Sequence, residues 1–163
     1  MIDFRLVILS DTHISATHPL FFHNFEVALE AANALAPDVA IVTGDLSLNG
    51  PDAPGDLDVA AAQMRRFSAQ VTKLVPGNHD VGYSPAALSA EQRMTLERRQ
   101  NYLERVGPDF WQFDYGDWRF IGLNPFLLES GFDAEAEQRA MVFEALSYSG
   151  PIGVFTHVPF FSD

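Results

Sequence analysis

Four short apolar runs in this chain each lead into carboxylate, imidazole or amide side chains. "FRLVIL" (4–9) runs into Ser10, Asp11, Thr12 and His13, and "DVAIVT" (38–43) into Gly44 and Asp45. "TKLV" (72–75) runs into Pro76, Gly77, Asn78, His79 and Asp80, and "PIGVFT" (151–156) into His157. Helical periodicity separates the first three runs: Phe21, Phe25, Ala28, Leu29, Ala32 and Leu35 recur every three to four residues across 20–36, and 56–70 reads as a second helix. Strands alternating with helices predict an α/β fold with a parallel sheet and helices on its faces. In such sheets the C-terminal strand ends face a common crevice where ligands bind. Residues far apart in sequence are therefore expected to converge there.

The side chains at these ends suit a metal. Imidazole, carboxylate and amide oxygen without thiolate form a donor set for Mn, Fe(II) or Zn. A pair of adjacent metals needs a bridging carboxylate, and Asp45 is placed to supply it. Gly44 and Gly77 allow tight turns and close backbone approach beside the ligands. Within the triplet, Asn78 is expected to bind metal, His79 to face a substrate, and Asp80 to orient His79.

Composition narrows the functional classes. The 163 residues, 47% of them hydrophobic, suffice for one domain with a core. With 22 acidic against 10 basic residues the net charge is −12, which disfavours a nucleic-acid polymer as partner but not a small anion. No run of about 18 apolar residues predicts a membrane span. The opening "MIDFRLVILSD" has an acid at position 3 and no small-residue cleavage site, so it does not read as a secretory signal. The absence of cysteine excludes disulfides and thiolate chemistry and fits a cytoplasmic protein.

Past position 81 the pattern changes. Ser89 and Gln92 form a capping-box signature that predicts a helix over 89–106. Its arginines Arg93, Arg98, Arg99 and Arg105 read as a solvated face balanced by Glu91, Glu97 and Glu104 rather than as a cap for an anionic substrate. Residues 110–124 predict an aromatic hairpin turning near Gly116 and Asp117. Core packing is the expected role of its rings, ahead of stacking a nucleobase. Asp133 is expected to N-cap a helix over 134–147. His18 and His23 stand at no strand end and read as surface histidines.

Taken together, "SDTH", "GD", "GNHD" and a later histidine after a strand resemble the calcineurin-like metallophosphoesterase superfamily, over nearly the whole chain. The stretches "LVILSDTHIS", "TGDLS" and "LVPGNHD" are similar, more loosely, to its cyclic-nucleotide phosphodiesterase branch. The resemblance implies a four-layer α/β/β/α sandwich holding two divalent metals (Mn, Fe or Zn). It implies Asp11 and His13 on the first metal, Asp45 bridging, and Asn78 and His157 on the second. It further implies that His79 contacts the phosphate and protonates the leaving group, with Asp80 as its carboxylate partner, and that a hydroxide bridging the metals is the nucleophile. The expected substrate is a small phosphate mono- or diester, with a nucleotide among the candidates.

The chain departs from the pattern in one respect: it ends at Asp163, six residues after His157, before any G-H-x-H motif. The expectation is a single domain over 1–163 that lacks the C-terminal part of the second sheet and two histidine ligands. Its closing Pro159, Phe160 and Phe161 would then leave an apolar end prone to self-association. Two other readings stay open: a metal- or phosphate-binding fragment without turnover, and a structural fragment that holds no metal.

Overall fold

The computed structural model describes residues 3–84 and 89–159. Three strands, β1 (Leu6–Leu9), β2 (Val39–Thr43) and β3 (Val71–Val75), form a parallel sheet in the order β1-β2-β3. Helices α1 (Phe22–Ala34) and α2 (Pro54–Met64) make the crossovers. Central β2 has both faces covered, which is why it reads as an unbroken apolar run. Its Ala40 and Val42 join Phe25, Leu29, Leu57, Ala60 and Met64 under the helices. Its Val39 and Ile41 face the other way, onto a second sheet.

A single helical turn, α3 (Asn78–Val81), follows β3, and α4 (Leu96–Arg105) comes next. The second sheet begins with the hairpin β4 (Trp111–Tyr115) and β5 (Trp118–Gly122), which turns at Gly116 with φ of 58°. Helix α5 (Asp133–Ala145) then carries the chain to β6 (Ile152–Phe155), parallel to β5. Trp111, Phe113, Phe120 and Phe155 fill the space between the sheets against Val39, Ile41 and Val75, and Trp111 Nε1 donates to the Leu74 carbonyl at 2.6 Å. The hairpin aromatics are therefore core. Ile121, Leu123 and Ile152 pack on the other side against Met141, Val142 and Ala145 of α5. Helices α1 and α2 thus pack on one face of the first sheet, the second sheet on its other face, and α5 on the second sheet, a mixed α/β fold as expected.

Local departures have local causes. The helix expected over 89–106 is interrupted. Residues 90–92 form one 3₁₀ turn, and Tyr83 then pairs with 92–94 through Tyr83 N to Gln92 O at 2.8 Å and Met94 N to Tyr83 O at 2.7 Å. This pairing holds Met94 extended and buried, so α4 starts afresh with Thr95 as N-cap, accepting from Arg98 N at 3.2 Å. The arginines do not rely on glutamates of their own helix: Arg98 pairs with Asp52, Arg99 with Asp109 and Arg105 with Asp58. Asp133 is the first helical residue of α5 and not its cap. Phe160 and Phe161, expected at an apolar end, lie outside the described residues. No helix among the described residues is long and apolar enough to cross a membrane.

Candidate metal centre

Two loops zip together beyond β1 and β2. Asp11 N donates to Gly44 O at 3.1 Å, His13 N to Asp45 O at 2.9 Å and Ile14 N to Leu46 O at 2.9 Å. Keeping this pairing while the chain turns forces unusual backbone: Asp11, His13 and Asp45 have φ of 58°, 46° and 50°. They are three of the five non-glycine residues with positive φ among the described residues. Such strain collects where surrounding structure over-determines a side chain's position. Asp56 secures the same loop from α2, accepting from Ser15 Oγ at 3.0 Å and Ala16 N at 2.8 Å.

The loop after β3 is clamped onto the second loop by a carboxylate. Asp80, fully buried, accepts from Leu46 N at 3.1 Å and from Ser47 N, Ser47 Oγ and Gly77 N at 2.8 Å each. Burial pushes its pKa up, and these hydrogen bonds pull the other way. The expectation that Asp80 orients His79 is corrected here. His79 Nδ1 donates instead to the Leu48 carbonyl at 2.6 Å. The reason is helical: Asn78 to Val81 form one turn, on which successive side chains point about 100° apart, so Asp80 looks back into the loop while His79 looks out.

His157 arrives from the second sheet, and its Nδ1 donates to Thr43 O at 2.8 Å. The four strand ends thus converge, three from one sheet and one from the other. Two groups of potential ligands result, and both contain Asp45: His13, Asp45 and His79, and Asp11, Asp45 and His157. Within each group the ligand atoms lie within 4.8 Å of one another. Asp45 is 4% exposed and turns one carboxylate oxygen to each side, with Oδ2 3.7 Å from His13 Nε2 and Oδ1 3.4 Å from His157 Nε2. The two expected ligand pairs are also adjacent. Asp11 Oδ1 is 3.9 Å from His13 Nε2, and Asn78 Oδ1 is 3.3 Å from His157 Nε2. The centroid of the His79 ring stands 4.7 Å from that of His13, edge to face.

These atoms fit a cation. A carbonyl only accepts, so the Thr43 contact puts the proton of a neutral His157 on Nδ1 and leaves a lone pair on Nε2. That lone pair faces a carboxylate oxygen and an amide oxygen, and electron-rich atoms converge in this way around a metal. His13 Nε2 is too far from either carboxylate for a hydrogen bond. Its separations instead approach the roughly 3.4 Å between two ligands bonded at about 2.1 Å to one tetrahedral ion. Backbone economy is equally tight. A Cβ on Gly44 would stand 2.6 Å from the His157 ring, and one on Gly77 would stand 2.1 Å from Asp45 Oδ1.

Comparison with known proteins decides the family: the profile of the calcineurin-like phosphoesterases matches residues 4–161. The chain belongs to that family. Among solved structures it is similar to a purple acid phosphatase from yellow lupin (Lupinus luteus) seeds, with a TM-score of 0.57 and 16% identity over 88% of this chain. It is also similar to a dimetal phosphatase from Danio rerio, with a TM-score of 0.58 and 14% identity over 97% of this chain. The chain spans 27% of the lupin protein and 70% of the Danio protein. No curated protein sequence matches it.

Sequence reasoning missed the supports of the calcineurin-like site. The Leu48 and Thr43 carbonyls that set the imidazole tautomers belong to backbone, which no residue type announces. Ser47 and Asp56 carry a signal only in being polar and buried, and burial is a tertiary property. His18 bonds Thr17 Oγ1 at 2.9 Å on an exposed loop, and His23 lines a surface cavity on α1, both outside the centre as expected.

Proposed function

We propose that this chain hydrolyses phosphate esters at a pair of divalent metals, Mn, Fe or Zn. The observation that carries this reading is the buried Asp45 carboxylate, which turns one oxygen toward His13 and the other toward His157. Asp45 would bridge, with Asp11, His13, Asn78 and His157 completing the ligand set. Bound there, the metals would supply Lewis acidity, lowering the pKa of water toward neutrality and offsetting charge on the phosphoryl oxygens.

The chain's own residues do the rest. The Leu48 carbonyl holds the His79 ring so that Nε2 is free to meet the phosphate. As imidazolium, His79 would hand its Nε2 proton to the departing alcohol. Asp80 has no part in that transfer. Its role is to lock the loops bearing Asp45 and His79 to each other. Membership in the family and the fold shared with two phosphatases support the reaction class.

The test is hydrolysis of p-nitrophenyl phosphate and bis(p-nitrophenyl) phosphate by protein supplied with Mn(II), beside Asp45→Asn. The reading requires turnover that falls by at least about 100-fold in the variant, the scale expected when a group central to transition-state stabilisation is lost. An unchanged rate in Asp45→Asn refutes it. Bound phosphate with no turnover would assign the chain to binding alone.

A further inference from the structure

Of the three imidazoles in the candidate centre, two are keyed by backbone. His79 Nδ1 donates to the Leu48 carbonyl and His157 Nδ1 to the Thr43 carbonyl. His13 has no such key. Its Nδ1 is buried and without a hydrogen-bond partner among the described residues. Its Nε2 lies beyond hydrogen-bond reach of Asp11 and Asp45. A bond to the second ring nitrogen is what ordinarily orients a ligating histidine. The plane of the His13 ring must therefore be set in another way.

Packing sets it. Two rings lie against His13: Phe21, tilted by 49° at a centroid distance of 5.6 Å, and His79, edge to face at 4.7 Å. Both separations fall in the range of about 4.5–7 Å over which ring pairs attract. The Leu48 carbonyl already fixes His79. Phe21 is fixed by the turn that leads to it. Ser15 Oγ accepts from Thr17 N and His18 N at 3.2 Å each, closing the chain ahead of the 3₁₀ turn Pro19–Phe21. The same hydroxyl donates to Asp56 Oδ1 at 3.0 Å, and Ala16 N donates to that oxygen at 2.8 Å. Asp56 is 4% exposed in the first turn of α2, beside Leu57 of the core. A side chain anchored in the core thus fixes the course of the chain from His13 to Phe21.

We propose that Phe21 and Asp56 are positioning residues for His13. Asp56 pins the turn that carries Phe21 onto the imidazole, and the ring contact presets His13 Nε2 for a cation. The proposal rests on the metal reading. A preset ring binds more tightly because the rotational freedom that binding removes is already gone.

The experiment is calorimetric titration of the metal-free chain with Mn(II). Phe21→Ala, Asp56→Ala and Asp56→Asn are each compared in the wild-type and His13→Ala backgrounds. Phe21→Ala and Asp56→Ala should each weaken Mn(II) binding by about tenfold or more, the scale seen when a group that orients a ligand is lost. Asp56→Asn keeps an acceptor oxygen in place of Oδ1 and should bind as wild type does. In the His13→Ala background the two alanine substitutions should not weaken the remaining Mn(II) further, because they act through the ring that is gone. A general loosening of the fold would weaken it in both backgrounds. A second measurement needs no variant: nuclear Overhauser contacts between the His13 and Phe21 rings should be present in the metal-free protein and persist with Zn(II). Unchanged Mn(II) affinity in either alanine variant, equal losses in the two backgrounds, or missing ring contacts in the metal-free protein overturns the proposal and leaves the metal reading standing. A wild-type chain that takes up no Mn(II) removes both.

Discussion

Gly77→Ala should damage the candidate metal centre without replacing any of its ligands. The φ of Gly77 is −103°, open to any residue, so space and not backbone freedom demands glycine. A Cβ there would lie 2.1 Å from Asp45 Oδ1 and 2.2 Å from Asp45 N, where ordinary contact begins at 3.4 Å. Asp45 or the loop must therefore yield by more than 1 Å, the difference between those distances. The shift sacrifices the 2.9 Å bond from His79 N to Asp45 Oδ1 and moves the carboxylate that both ligand groups share. Overpacking of about 1–3 kcal/mol plus about 1 kcal/mol for the hydrogen bond gives a loss near 3 kcal/mol. For a chain of this size that lowers Tm by roughly 6–12 °C. Gly55→Ala is the control, because a Cβ at Gly55 meets nothing within 4 Å and the residue lies in α2, where alanine gains about 0.5–1 kcal/mol. Calorimetry and metal content, measured well below the transition, read both effects. A Gly77→Ala protein that melts with wild type and holds as much metal would show that the loops are not packed as described.

Three further outcomes follow from other parts of the molecule. Asp109, 1% exposed, takes two hydrogen bonds from Arg99 and one from Asn124, so Asp109→Ala strands a largely buried guanidinium and should cost about 3 kcal/mol in urea unfolding. A loss under about 1 kcal/mol would show that Arg99 finds water instead. The Tyr102 hydroxyl is buried without a hydrogen-bond partner among the described residues, and burial with the nearby Asp80 and Asp109 charges holds its pKa well above the usual phenol range. Tyr102→Phe should therefore be neutral or stabilising by up to about 1 kcal/mol, and a clear loss of stability would reveal a partner for the hydroxyl. Glu135 is pushed down to about 2 by Arg139 and by the Glu129 and Gly131 amides. Its folded pKa lies below the ordinary 4.5, so its contribution is complete above that pH and is lost as pH falls toward 2. The Tm gap between wild type and Glu135→Gln should close over that window, and a gap independent of pH would contradict the assignment.

Most of the first sheet was legible because its strands and crossovers are periodic and its loops carry polar residues that a turn alone does not need. Asp11, His13, Asp45, Asn78 and His157 were expected to meet, and the structure brings them together. The role of Asp80 was misread because adjacency in sequence is not adjacency on a helical turn, and a four-residue helix gives no periodicity to reveal it. The break before α4 was hidden for a similar reason. Ser89 and Gln92 fit a helix start, but long-range pairing of Tyr83 with 92–94 outweighed local preference. The partners of the α4 arginines were out of reach, since Asp52 and Asp58 lie some 46 and 47 residues away along the chain. That His157 enters from a different sheet depends on β6 joining the hairpin, a choice of neighbour that its four residues do not encode.

The central claim is that Asp45 is shared by two metals whose other ligands are Asp11, His13, Asn78 and His157. Metal content per chain, after loading with Mn(II) or Zn(II) and removal of excess, tests it most directly. The account predicts close to two ions per chain in wild type and a loss of both in Asp45→Asn. One ion or none in wild type, or two that survive Asp45→Asn, would contradict it.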